Sequence, residues 1–349
     1  MGYFNQLNDI VKQYFNILSN NDIPNFLEEY INTDEMQKIG KISMCCGTDY
    51  SKIFNNKFFY SNLDHSVGVA LIVWNFTKSK KQTLAGLFHD IATPVFKHCI
   101  DFMNGDYEKQ ESTEELTTDI IRNSKKIMQL LDRDKIKIEE VDNYKLYPIA
   151  DNNTPRLSAD RFEYNFSNGF VIKEVWNLKE IKEIYNDIDI LKNEDGIEEI
   201  GFKTKSIAEK YINKASTMWP VWFCNEDKIV MQFIADIVKK MSERGYLTKK
   251  DLYSLSEKEV INKILNCKDK DISEYFRRFQ EIDRVYGSDI EIKDKYCISI
   301  KAKRRYIIPL VKKDINDVRI DKISEKAKNK IDKYLNYETT KYAYINLPR

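Results

Sequence analysis

Residues 65–76, HSVGVALIVWNF, carry apolar side chains on nearly every side of a 3.6-residue turn. A helix with no polar face is stable only when other elements cover it all round. The rest of the chain is suited to that. It has seven prolines and eleven glycines in 349 residues. So few breakers, among many Lys, Glu, Ile and Leu, favour a mostly helical fold. The length admits one large domain or two to three smaller ones and is enough for a sizeable core.

Punctuation in the sequence places further helices. Residues 5–18 and 24–32 read as short amphipathic helices, the second with Asn21 or Asp22 as cap and Pro24 in its first turn. Thr33 caps a helix over 34–44, with Asp34 and Glu35 in its first turn. Residues 81–91 are helical. Thr93 and Pro94 are a natural N-cap and first residue for a helix over 94–103. The helical pattern continues over 112–132, over 156–168 after Thr154-Pro155, and over most of 170–191. The charged stretch 191–205 reads as a loop. Residues 206–244 read as helical, broken near Trp219-Pro220 and stopped by Gly245. Residues 296–311 and the YAYINLP near the end alternate and are rich in Ile and Tyr, so both are expected to be strands. The expected fold class is therefore mainly α: a helical bundle with a small α/β C-terminal region. The expected divisions are N-terminal helices over 1–50, a main domain over 51–245 and a mixed region over 246–349.

Composition excludes several classes. Lys and Arg number 56 against 55 Asp and Glu, so global charge points to no polyanionic or membrane partner. Six cysteines (45, 46, 99, 224, 267 and 297) form no Cys-x-x-Cys pair. Neither a zinc ribbon nor a disulfide framework is supported. The opening MGYFNQLNDIVKQYF lacks the basic start and apolar run of a secretory leader. No apolar run reaches the ~20 residues of a membrane helix. A cytoplasmic protein with no membrane partner is expected.

The chemistry concentrates in GLFHDIATPVFKH, residues 86–98, which holds two of the three histidines. His65 opens the buried helix, and His89 and Asp90 end another. Asp160 sits in RLSADRFEYNF, a helix with apolar residues on two sides. A buried carboxylate needs a partner. One divalent cation would satisfy two imidazoles and two carboxylates together, and this donor set suits Mn, Fe, Co, Ni or Zn better than Ca. Singly, a His at a helix end is more often a capped or surface residue, and an Asp on an apolar helix is often an ion-pair partner. The weight lies in the combination.

That combination resembles the HD-domain phosphohydrolase superfamily: His65, then His89-Asp90 about two dozen residues later, then Asp160. HSVG at 65–68 is similar to the HS-x-GV of the branch that cleaves deoxynucleoside triphosphates. HDIATPVFKH is similar to its HD-x-x-H-x-P-F-x-H, and ADRFEY to its D-[RK]-x-x-Y. EMQKIGKI at 35–42 is similar to the helix preceding that domain. The resemblance spans roughly residues 34–168. It implies an HD-domain helical bundle and one divalent metal (Mn, Fe, Co, Ni, Zn or Mg) on His65, His89, Asp90 and Asp160. It also implies hydrolysis of a nucleotide or related phosphate ester by metal-activated water.

Departures from the branch bear on substrate. Asn62 stands where an Arg holds phosphate, Thr93 where a further His stands, and Gln110-Glu111 where a His-Glu pair follows. With His98 the only further histidine, a second metal of the two-metal type is not expected. The candidate catalytic residues are His98, as proton donor to the leaving oxygen or as an anchor for a phosphate, and Asp90. Lys97, Arg161, Tyr164, Asn62 and Thr93 are the candidate substrate contacts. The basic segment 293–313, with Tyr296 and Tyr306 interleaved, is a candidate for nucleotide or nucleic acid binding or an edge strand protected by lysines. Alternatives to hydrolysis of a small phosphate ester are a phosphodiesterase or nuclease acting on single-stranded nucleic acid, and an inactive nucleotide-sensing module. A homo-oligomer, dimer or tetramer, is expected by resemblance.

Overall fold

The computed structural model describes residues 2–113 and 116–348. The fold is mainly α, with a small α/β part toward the C-terminus. Its centre is the helix Asn62–Thr77, buried from Asn62 to Val73 except at Asp64. Ser61 starts it. The Ser61 hydroxyl accepts from the Asp64 N–H at 3.0 Å, and the Asp64 carboxylate accepts from the Ser61 N–H at 2.8 Å. This reciprocal box satisfies donors that a helix start otherwise orphans. The Tyr3 hydroxyl donates to the other Asp64 oxygen at 2.5 Å, tying the N-terminus to the same cap. Helices Asp9–Leu18, Lys80–Phe88 and Ala159–Val171 pack around the central one, so it is covered on all sides as its sequence requires.

Gly68 lets one of these neighbours come close. A Cβ at Gly68 would lie 2.7 Å from Glu163 Cγ and 2.9 Å from its Oε1. Glycine is thus required where the helix Ala159–Val171 presses a carboxylate against the central helix.

Two core clusters form. The larger includes the central helix, Lys80–Phe88, Ala159–Val171 and Lys205–Met218. The smaller is built on Asn225–Glu243, His98–Met103 and the C-terminal strand. The break near Trp219-Pro220 is a 3₁₀ turn, Trp219–Trp222, joining the helices Lys205–Met218 and Asn225–Glu243. Gly245, at φ 74°, follows the latter helix in the left-handed region that favours glycine.

Several expectations need correction. Thr33 donates to the Tyr30 carbonyl instead of capping, its helix runs only Asp34–Ile39, and the stretch 112–132 holds two helices, Thr117–Asn123 and Lys125–Asp134. Three others are larger. The helix over 94–103 is shortened to His98–Met103. Thr93 caps nothing, because its hydroxyl accepts from Asn62 Nδ2 at 3.0 Å. Phe96 and Lys97 take positive φ values of 66° and 45°, which turns the Lys97 side chain inward. Second, residues 188–202 form a hairpin rather than the end of a helix and a loop. β1 (Ile188–Lys192) and β2 (Glu198–Phe202) pair antiparallel, with Ile190 opposite Ile200. Asn193 Oδ1 accepts from the N–H groups of Asp195 and Ile197 at 3.0 Å each, and Gly196 turns at φ 73°. Asn-to-backbone bonds of this kind build a turn without helical propensity.

The third correction concerns 296–311, which is not one strand. Its two ends belong to different sheets. With β3 (Tyr286–Ser288), β4 (Lys295–Ile298), β5 (Leu310–Val311), β6 (Val318–Arg319) and β7 (Tyr342–Pro348), the sheets run β1-β2-β5-β6 and β3-β7-β4. β2 and β5 are parallel, and the remaining pairs are antiparallel. Residues 299–309 cross between the sheets as an irregular strap, because successive side chains are drawn to different partners. Arg304 donates to the carbonyls of Tyr334, Leu335 and Tyr337 at one helix end. Tyr306 packs toward Trp219 and Tyr334. Pro309 has no N–H for a ladder. YAYINLP is a strand, as read.

Candidate metal centre

Three helix termini deliver the cluster. His65 lies in the second turn of the central helix, His89 follows Lys80–Phe88, and Asp160 is in the first turn of Ala159–Val171. Their ligand-type atoms all lie within 4.8 Å of one another. His65 Nε2 is 3.2 Å from His89 Nε2 and 3.1 Å from Asp160 Oδ1, and His89 Nε2 is 3.8 Å from the same oxygen. Asp90 Oδ2 stands slightly apart, at 3.6 Å from His89 Nε2 and 4.0 Å from His65 Nε2. It shares that oxygen with Lys97 Nζ at 3.1 Å.

Both rings are held by their other nitrogen. His65 Nδ1 meets the Glu163 carboxylate and His89 Nδ1 meets the Gly86 carbonyl at 2.8 Å. With Nδ1 as the donor in each, both Nε2 lone pairs point into one space beside a carboxylate. Neutral imidazoles facing one another in this way lack an electrophile. In the metal-free chain a proton supplies it: burial opposes charge on His65, but Glu163 and Asp160 outweigh it and push the ring up to about 9. Burial also opposes charge on Asp160 and Asp90. His65 nevertheless holds Asp160, and Lys97 with the histidines holds Asp90, well below the usual carboxylate range. Two imidazole nitrogens and a carboxylate oxygen grouped in this way could hold a divalent cation.

The cluster opens into a cavity of about 780 Å³, whose lining includes Met44 and Tyr164 from the larger core and Cys46 and Phe54 packed on the smaller. Lys97, His98, Arg161 and Tyr164 also line it. Asn62 and Thr93 do not. They bond to each other behind Lys97, whose Nζ donates to Asn62 Oδ1. Burial works against the Lys97 charge, but Asp90 prevails and its pKa is raised. His98 Nδ1 lies 2.9 Å from Asp101 Oδ2, and Asp101 is fully buried and accepts from Ser112 at 2.6 Å. The Arg161 guanidinium is engaged with Asn152 Oδ1 at 2.6 Å, the Arg156 carbonyl at 3.2 Å and Asp151 at 3.4 Å. It thereby braces the loop that forms one rim. Tyr164 meets Trp222 edge-on at 5.1 Å, and burial pushes its phenol up to about 12.

Three site residues escaped the sequence reading. Glu163 lies three residues after Asp160, within the quoted ADRFEY, and its position on a helix facing HSVG was the available signal. Gln110 enters the sequence pattern only as a departure, in the Gln110-Glu111 pair that replaces a His-Glu. Arg305 lies in the basic segment, and its side chain reaches the cavity, with Nη2 2.5 Å from Gln110 Oε1 and 3.4 Å from His98 Nε2.

No family model matches the chain. It is similar over 93% of its length to a crystal structure of a hypothetical protein from Aquifex aeolicus, at TM-score 0.65 and 13% identity, covering 93% of that chain. It is also similar to a crystal structure of a phosphohydrolase from Bacteroides thetaiotaomicron, at TM-score 0.62 and 13% identity, covering 94% of this chain and 97% of that one. The chain shares its fold with both of these proteins. In sequence it is 21% identical to the uncharacterized protein YdhJ of Bacillus subtilis (strain 168), over 89% of this chain and 92% of that protein. Among the described residues, no helix is long and apolar enough to cross a membrane.

Proposed function

We propose that this chain is a metal-dependent phosphohydrolase of the HD-domain type, acting on a nucleotide or related phosphate ester. The observation that carries the reading is the convergence of His65, His89 and Asp160 within 4.8 Å, with each imidazole oriented through its other nitrogen. These three, with Asp90 beside them, would hold one divalent cation. When bound, such a cation polarises a phosphoryl oxygen and acidifies a water.

The chain's own residues supply the rest. Glu163 and the Gly86 carbonyl keep both Nε2 atoms turned to the cation. Lys97, paired with Asp90, sets a fixed positive charge beside the reacting phosphoryl group. His98 is placed to hand a proton to the leaving oxygen: Asp101 orients the ring through Nδ1 and leaves Nε2 toward the cavity. Burial holds His98 below the ordinary imidazole value, so it serves as the acid only once the negative charge of a bound phosphoryl group has put a second proton on Nε2 in place of the Arg305 contact. Tyr144, Tyr164 and Trp222 give the cavity aromatic walls suited to a base or sugar.

The test is a panel of nucleotides and phosphate esters with several divalent metals, run beside Asp160→Ala. We expect release of phosphate, pyrophosphate or triphosphate from at least one substrate, and none from the variant. No turnover of any ester by metal-loaded protein would support the nucleotide-sensing alternative instead.

A further inference from the structure

We propose that Arg305, with Gln110 and His98 beside it, forms an anion subsite in the cavity that takes a phosphoryl group of the substrate away from the His65–His89–Asp160 cluster. The identity of the anion rests on the phosphohydrolase reading. The existence of the subsite rests on the following geometry alone.

Charge pairing and burial together single out Arg305: Lys109 and Lys303 also line the cavity, but Lys109 is exposed and Lys303 Nζ donates to the Lys109 carbonyl. Of the other cations lining the cavity, Lys97 pairs with Asp90 at 3.1 Å and Arg161 with Asp151 at 3.4 Å. Arg156 pairs with Glu194 at 3.6 Å, and Lys145 with Glu111 at 3.4 Å. Arg305 differs. Its hydrogen-bond partners are the Gln110 amide oxygen and the His98 ring, neither of them a carboxylate. Among the described residues no carboxylate lies within 4 Å of its guanidinium, Asp227 acting on it only from farther away. A half-buried guanidinium with no carboxylate partner keeps unmatched charge and unused donors. An anion with several oxygens satisfies both at once.

The position is built. The strap over 299–309 is fastened on both sides of Arg305. Lys303 N donates to the Tyr107 carbonyl at 3.2 Å and Lys303 Nζ to the Lys109 carbonyl at 2.6 Å, both on the loop that also carries Gln110. Ile308 N donates to the Pro155 carbonyl at 2.8 Å on the opposite rim. Arg304 is anchored to the end of the helix Glu325–Leu335 and packs 4.2 Å over the Phe223 ring. Arg305 therefore enters the cavity from a backbone tied down on either side. Gln110 is buried, and its Nε2 donates to the Tyr107 carbonyl at 3.3 Å, which fixes Oε1 toward Arg305. With His98 Nδ1 donating to Asp101, Nε2 accepts from Arg305. An arriving phosphoryl group would sit against the guanidinium at the ring that we assign to the leaving oxygen.

The experiment measures inorganic phosphate affinity by calorimetry, and KM and kcat for the best ester, on metal-loaded wild type, Arg305→Ala, Arg305→Lys and Gln110→Glu. The last variant keeps Arg305 but gives it a carboxylate partner. We expect Arg305→Ala and Gln110→Glu each to weaken phosphate binding at least about tenfold. KM should rise more than kcat falls, metal content should be unchanged, and Arg305→Lys should recover part of the loss. Phosphate affinity within about twofold of wild type in either folded variant overturns the subsite. If Arg305→Ala does not fold, Gln110→Glu decides. Should wild type bind phosphate through Arg305 yet hold no cation and hydrolyse nothing, the enzyme reading fails and the subsite stands. Should it hydrolyse esters with a phosphate affinity indifferent to Arg305, the subsite alone fails.

Discussion

His65 meets a carboxylate on each ring nitrogen, Asp160 at Nε2 and Glu163 at Nδ1. Glu163 also accepts from Tyr60 at 2.8 Å, Ser167 at 3.1 Å and Tyr14 at 3.2 Å, so its buried charge is fully bonded. Partners of this kind typically set metal affinity through the ligand they hold. We expect Glu163→Gln to keep the fold and weaken cation binding roughly 10–100-fold in a chelator-competition titration. Affinity within about twofold of wild type would mean that Glu163 only fills space. Gly68→Ala pushes on the same carboxylate. We expect it to cost about 1–3 kcal/mol in denaturant unfolding, with weaker cation binding; an unchanged midpoint would contradict the close approach. The cluster was legible in the sequence because its motifs come in order and each carries local neighbours. Glu163 was not, since a glutamate two positions from an arginine on a helix reads as solvated. Arg305 was not, since its contact with His98 spans 207 positions.

Helix boundaries were legible where proline or glycine punctuates the chain, as at Trp219-Pro220 and Gly245, and less so where the cap lies upstream of the apolar run, as Ser61 does, or where a side chain has a better partner. Thr93 bonds Asn62 instead of a helix N–H, and the helix expected after it starts at His98. The hairpin β1–β2 continues the polar, isoleucine-spaced pattern of the helix Leu178–Asn186, and only the Asn193 turn between its strands marks it as a hairpin. At this scale the central helix gives the clearest prediction. Ser61→Ala removes one half of the capping box and should cost about 1 kcal/mol. Leu71→Ala, at a fully buried position, should cost about 2–5 kcal/mol. Chemical unfolding of both variants checks the order: equal losses would show that the helix is not buried all round.

Across the whole molecule, Glu257 joins distant parts of the chain, accepting from the Tyr50 hydroxyl at 2.8 Å. Burial pushes its carboxyl up from 4.5 to about 8 despite that bond. Between those values the native state keeps a proton that the unfolded chain releases, so this group lowers stability as pH rises through the window. Glu257→Gln removes the dependence. The variant should gain stability relative to wild type between about pH 5 and about pH 8 in urea unfolding, and a gap that ignores pH would contradict the assignment. The mainly α architecture followed from scarce breakers and one all-apolar helix. The strap over 299–309 did not, because its course is set by partners contributed from four separate parts of the chain. All of the proposed chemistry turns on His65, His89, Asp90 and Asp160 holding a single cation. Metal analysis of the purified protein beside His89→Ala and Asp160→Ala tests it most directly. We expect about one divalent ion per wild-type chain and near none in either variant; full occupancy retained in both, or none in the wild type after incubation with divalent metals, would contradict it.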